Sequence, residues 1–165
     1  MARYFRRGTT KIYFVEGEGT IATVSAPDLS TELILANLTD LTCGIAEISG
    51  FSFQNNPIDT PDMCAEFVSK IPGEDTADDS SMTFYDDDTS NPIWDNLIKG
   101  TRGYIVFFPY GLGVDGVISV GDDCEVWPVS VASVAREWSA GNDPARFMMT
   151  FTITAPPSQN ASVVA

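Results

Sequence analysis

"ARFMMTFTIT", residues 145–154, sets the first constraint on this chain: Phe147, Met149, Phe151 and Ile153 alternate with Arg146, Thr150, Thr152 and Thr154. A period of two puts the apolar set on one face of a strand and the polar set on the other, a pattern that no helix presents. "CEVWPVSVASVAREW" (124–138) is similar, with Pro128 marking an edge or a bulge. "GYIVFFP" (103–109) is apolar throughout, so it is expected to be buried on both faces, in a core or in an interface. Together they predict a mainly β fold, an antiparallel β-sandwich or flattened barrel with one or two short helices. Its core is expected to include Ile105, Phe107, Phe147, Met149, Phe151 and Ile153.

"KIYFVE" (11–16) and "TIATV" (20–24), separated by Gly17 and Gly19, give a hairpin-like signal. "TELILAN" predicts a short helix capped by Ser30 or Thr31 and stopped by Asn37. "CGIAEISGFSF" (43–53) reads as a strand with a bulge at Gly50, and "NNPIDTPD" (55–62) as turn chemistry. "MCAEFVSKI" (63–71) alternates loosely, with Met63, Ala65 and Phe67 opposite Glu66 and Lys70. Residues 72–81 and 86–91 are expected as acidic loops flanking the strand "MTFY" (82–85), and residues 155–165 as a flexible tail. The chain is expected to be one domain over residues 1–165, opened by an arm at residues 1–10.

Charge narrows the functional classes. Nine basic residues stand against 23 acidic ones, a net charge of −14, which repels phosphate and anionic lipid. Arg3, Arg6, Arg7 and Lys11 crowd the amino terminus, and the next cation is Lys70. No run approaches the ~20 apolar residues that span a bilayer, and the first residues carry no secretory pattern. Cys43, Cys64 and Cys124 suit reduced, mostly buried thiols made in a cytosol better than a disulfide framework. The absence of histidine removes the commonest general base, the Ser-His and Cys-His pairs, and most zinc sites.

The acidic run in "YDDDTSNPIWDNL" (85–97) is the strongest imitation of an active site. A calcium loop counted from Asp86 finds Asn91 where glycine is needed and Leu97 where a bidentate glutamate is needed. A capped helix fits better. Asn91 or Ser90 serves as N-cap, Pro92 takes the first helical position, Leu97 and Ile98 face inward and Gly100 ends it. "GLGVDG" (111–116) lacks the third glycine of a dinucleotide loop and reads as a hairpin connection. No residue set points to catalysis, and no cofactor or metal is implied.

The order of pieces resembles the tail tube proteins of long, non-contractile phage tails, particularly the major tail proteins of actinobacterial phages. The resemblance runs through "MARYFRRGTTKIYFV", "ELILANLTDLTCGIAEISGFSF", "TPDMCAEFVSKIPGEDTADDSSMTFYDD" and "NPIWDNLIKGTRGYIVFFPYG". It implies a structural virion protein without enzymatic activity. Hexameric rings of such proteins stack into a tube that conducts the genome into the host. It further implies partners among other tail proteins (tape measure, terminator, baseplate or distal tail), transient passage of DNA, no membrane insertion, and assembly in the host cytoplasm. Some relatives carry an added immunoglobulin-like domain, which is not expected within these 165 residues.

Within that reading the expected inter-subunit residues are Arg3, Arg6, Arg7 and Lys11 of the arm against Glu74, Asp75, Asp78, Asp79, Asp86, Asp87 and Asp88. Glu47, Glu66, Glu125 and Glu137 are the candidates to line the bore. The alternatives are a carbohydrate- or calcium-binding β-sandwich, a metal-dependent enzyme built on Asp86–Asp88, and a tail terminator of the same assembly.

Overall fold

A computed structural model of the chain describes residue 3, residues 5–33 and residues 38–165. Ten strands appear among them, in the order β1 (Lys11–Glu16), β2 (Leu38–Asp40), β3 (Ile45–Ser49), β4 (Phe53–Thr60), β5 (Ser69–Ala77), β6 (Ser80–Tyr85), β7 (Arg102–Phe108), β8 (Asp123–Glu137), β9 (Arg146–Ile153) and β10 (Ser158–Ser162). One α-helix, α1 (Pro92–Asn96), lies between β6 and β7. The main sheet runs β2-β1-β7-β8-β9-β6-β3, with β10 added on β8, and β4 and β5 form a separate two-stranded sheet.

The fifteen-residue β8 joins the two halves. Residues 125–130 pair with β7 and residues 129–137 pair with β9, all antiparallel. The register slips between Val131 and Ser133, so the bulge falls at Ala132 rather than at Pro128. Pro128 instead marks the junction where β8 exchanges one neighbour for another. β10 reaches Val126, and the Thr154 amide donates to the Pro128 carbonyl at 3.0 Å. The N–H and C=O of an antiparallel residue share an edge, so the missing donor of Pro128 falls at that gap. A strand that bends at a bulge carries the sheet round a corner.

The rolled sheet encloses a first core. Ile12, Phe14, Ile105, Trp127, Phe84, Met82, Phe147, Met149 and Phe151 meet there, with Ile93 and Leu97 of the α1 region covering them. Phe107 and Ile153, expected inside it, pack against it only partly buried. A second core lies on the other face of β1, β7 and β8, where Val15, Tyr104, Val106, Phe108 and Val126 meet Ile21, Leu33, Ala161 and Val163. The continuous apolar run of β7 is thereby explained: alternate residues serve the two cores.

Five readings change. Residues 20–24 form no strand, because β2 and β7 already occupy both edges of β1. The segment turns instead at Gly17 (φ +110°) and Gly19 (φ +76°) and crosses the second core, delivering Ile21. The helix expected from Thr31 begins earlier, as a π-helical turn over Leu29–Leu33, while Asn37 and the side chains of Ser30 and Thr31 lie outside what is described. Residues 55–62 and 72–81 are largely strand, not turn and loop, because β4 and β5 pair from Phe53↔Ala77 to Thr60↔Ser69. Residues 158–162 are β10, held on β8, with Ala161 and Val163 each 2% exposed. Gly50 is no bulge either. It and Phe51 take left-handed backbones (φ +86° and +54°) and part β3 from β4. The buried Ser80 hydroxyl accepts the Phe51 amide at 2.7 Å and helps hold that joint.

Candidate assembly surfaces

Three surfaces gather the residues singled out by sequence. The first is the acidic run, where local chemistry is structural. Asn91 Oδ1 accepts the Trp94 amide as the N-cap of α1, and Asn91 Nδ2 donates to Asp86 Oδ1 at 2.7 Å. Arg136 Nε donates to Asp86 Oδ2 at 2.9 Å, and its guanidinium lies 4.2 Å from the centre of the Trp94 ring. Asp86 therefore ties the loop after β6 to α1 and to β8. Asp87 closes an exposed turn by accepting the Thr89 amide, and Asp88 accepts the Thr89 hydroxyl. Leu97 is buried as expected, whereas Ile98 is 62% exposed. Among the described residues no group of three or more His, Cys, Asp or Glu is placed to hold a metal ion.

The second surface is an open cavity of about 550 Å³ beside the start of β1, the end of β7 and the length of β3. Arg6 and Arg7 line it together with Glu47 and Glu125, so two arm cations and two of the bore candidates share one wall. The arm turns there, the Thr9 and Thr10 amides donating to the Arg6 carbonyl. Arg3, Arg6 and Arg7 are exposed, and none of these or Lys11 makes an ion pair among the described residues. Ile45, Ile48, Phe51 and Phe107 supply the apolar part of the wall.

The third surface is the β4–β5 hairpin. Its pairing is local and polar: Asn55 bonds Asp75 at 2.6 Å, Thr60 bonds Ser69 at 2.8 Å and Lys70 pairs with Asp59 at 3.0 Å. Gly73 lies opposite a register shift at Pro57, and a Cβ there would run into the Asn56 carbonyl. Yet Ile58, Ile71, Val68, Phe67 and Met63 all stand in solvent, Met63 and Phe67 almost completely. This apolar set was not among the contact candidates. Most of the set lies in "MCAEFVSKI", whose loose alternation groups Met63 and Phe67 on one face that the subunit leaves uncovered.

The remaining candidates are scattered. Glu66 lies in the hairpin tip rather than on a strand, and Glu137 ends β8. Glu74 and Asp75 are in β5, Asp78 and Asp79 precede β6, and Asp86–Asp88 follow it. The six residues of β6 thus hold the two acidic groups roughly 20 Å apart. The expectation of mostly buried thiols fails for two of the three: Cys43 and Cys64 are exposed, and Cys124 is buried. Burial, with Asp123, Asp122 and Glu125 adding to it, pushes the Cys124 thiol up to about 12. No helix among the described residues is long and apolar enough to cross a membrane.

The family described as phage tail tube protein matches residues 1–165. Among solved structures the chain is similar to one described as the sheath/tube terminator of the extracellular contractile injection system PVC in its extended state. The TM-score is 0.61 at 11% identity, over 93% of this chain and 95% of that one. It is also similar to one described as the tube terminating cap of the anti-feeding prophage, with TM-score 0.56 at 12% identity over 97% and 91%. A tail of an empty GTA particle, refined with C6 symmetry, gives 0.50 at 11% identity over 97% and 100%. At these identities the likeness is one of fold. No curated protein sequence matches.

Proposed function

The chain belongs to the phage tail tube protein family, a structural part of a viral tail, and from that premise we propose that it self-associates into six-membered rings that stack as the tube through which the genome passes. The observation that carries the proposal is the β4–β5 hairpin. A two-stranded sheet standing alone is marginal in water, and both of its edges are unpaired templates. This one nevertheless keeps eight- and nine-residue strands and exposes Ile58, Ile71, Phe67 and Met63. Such a segment is stabilised by a partner, and rings of identical chains supply one at every position.

Sixfold closure is supported by the family resemblance and by the C6 symmetry of the similar GTA tail. The acidic balance supports passage: at a net charge of −14, a bore of this protein repels DNA phosphates rather than trapping them. On this reading the protein does no chemistry, needs no cofactor, assembles in the host cytoplasm and meets the other proteins of the tail. The two neighbours described as terminator and terminating cap favour a second reading, in which the rings close a tube instead of extending it.

Negative-stain microscopy of the concentrated protein, with sedimentation across salt, separates these readings. Stacked tubes are expected. Single rings that only cap preformed tubes select the terminator. A permanent monomer that binds glycans or calcium overturns both.

A further inference from the structure

We propose that the tip of the β4–β5 hairpin of one subunit seats in the cavity between β1 and β3 of a neighbouring copy. This knob-and-socket contact rests on the self-association proposed above and assigns its location.

The knob is residues 61–68. Met63 is 105% exposed and Phe67 80%, so no described residue packs over them, and Val68 is half exposed beside them. The socket is the cavity of about 550 Å³ whose apolar wall is Ile45, Ile48, Phe51 and Phe107. That volume lies within the ~300–1,000 Å³ of cavities that enclose a compact ligand, room enough for the Phe67 and Met63 side chains together.

Geometry identifies the occupant as another copy. Gly50 and Phe51, at the root of the hairpin, themselves line the cavity. The eight residues of β4, at ~3.3 Å each, carry the tip roughly 25 Å away from that root. Phe51 anchors the root by packing edge-on against Phe107 and Trp127, at 5.1 and 5.6 Å between ring centres. A tip held that far from its own socket fills only a neighbour's. Knob and socket are different surfaces, so each copy gives one and receives one, and the contact propagates until a ring closes.

The charges agree. The tip carries Asp62 and Glu66 and no cation. Arg6 and Arg7 at the socket make no ion pair among the described residues, and Glu47 and Glu125 on the same wall direct the tip acids towards the arginine side. Other occupants, the amino-terminal arm or a different tail protein, make different predictions.

The full chain provides its own reporter, because Cys64 lies in the tip and is exposed. With Cys43→Ser and Ala46→Cys, one thiol stands on the knob and one in the socket wall. Oxidised glutathione then joins two thiols in one disulfide, taking up their two electrons and two protons. The expected result is a ladder of covalent multimers on non-reducing gels that vanishes when Cys64→Ser is added. In parallel, Met63→Ser with Phe67→Ser is expected to raise the concentration for half-assembly at least ~tenfold, at an unchanged monomer melting temperature. Wild-type chains that assemble while the serine pair assembles equally well overturn the knob and socket alone. So does an assembled protein with no ladder, or with one that persists without Cys64. Wild-type chains that never assemble overturn the parent reading and this contact with it.

Discussion

Replacing Asp86 by alanine is expected to destabilise the subunit by ~2–3 kcal/mol, while the same change at Asp87 or Asp88 costs ~0.5 kcal/mol or less. The three residues are consecutive and identical, so composition alone predicts no difference. The structure does. Asp86 accepts at 2.7 Å from Asn91 and at 2.9 Å from Arg136, and its side chain is 18% exposed. A hydrogen bond to a charged group contributes ~1.5–3 kcal/mol where water is excluded. Arg136 is 42% exposed, so its share is discounted to about 1 kcal/mol. Asn91 keeps its bond to the Trp94 amide and continues to cap α1, which limits the damage. At ~2–4 °C per kcal/mol for a domain of this size, the melting temperature falls by ~4–12 °C. Urea unfolding at concentrations below assembly measures the effect. A double-mutant cycle with Arg136→Ala isolates a coupling of about 1 kcal/mol. Equal losses at all three aspartates refute the reasoning. So does stabilisation by calcium, which at a hundredfold excess over its dissociation constant adds ~2.7 kcal/mol to a protein that binds it.

Phe151 is fully buried opposite Val131 and Ser80, and Phe151→Ala is expected to cost ~3–5 kcal/mol in the same urea assay. Alkylation of the native protein at pH 8 is expected to modify Cys43 and Cys64 and spare Cys124, as peptide mass mapping will read. Because folding raises the Cys124 thiol from 9.0 to about 12, the folded state holds its proton longer than the unfolded one. Stability from this group is complete below pH 9 and is lost as pH rises towards 12. Tube formation is expected to weaken with Arg6→Glu and Arg7→Glu together and to recover partly with Asp62→Lys and Glu66→Lys, the tip acids that meet them in the knob and socket. Sedimentation checks it, and tubes of normal stability from the arginine double variant end the idea of arm-to-acid pairing.

The strands that carry the core were legible in sequence because each has a face to bury. β9 shows the plain alternation, and β7 shows none because both its faces are covered, by the first core on one side and by Ile21, Leu33, Ala161 and Val163 on the other. β10 was missed for the opposite reason. It is five residues of mixed polarity, only Ala161 of them buried, and it is held through backbone pairing to β8. A two-residue period is informative only where one face is dry, and backbone hydrogen bonding leaves no trace in side-chain order. The capped helix was legible because its signals, Asn91 and Pro92, act within one turn of the chain. The joint at Gly50 and Phe51 was not, since the left-handed backbone at Phe51 depends on Ser80 and on aromatic partners distant in sequence.

The assembly surfaces follow the same rule with one addition. The arm cations and the acidic stretch could be read as segments, but not their places, because β6 separates Asp79 from Asp86 and the fold brings Glu47 and Glu125 beside Arg6 and Arg7. The hairpin has the sequence signals of turn and loop, and there is a physical reason for it. Beyond Phe53 at its root, the pair has no face buried against the body of the subunit, so neither strand carries the alternation that a monomer would require. Large apolar residues stand in them nonetheless: Ile58 faces Ile71 across the pair, and Met63 and Phe67 sit beyond it. In a chain that works alone, such residues invite aggregation and are countered by charges or proline at the edge. Pro57 within β4, Pro61 and Asp62 at the tip and the acidic residues of β5 do part of that here, yet Met63 and Phe67 stay exposed. Apolar side chains without an intramolecular period, on a strand pair with unprotected edges, are what a sequence looks like when the other half of its core belongs to the next subunit.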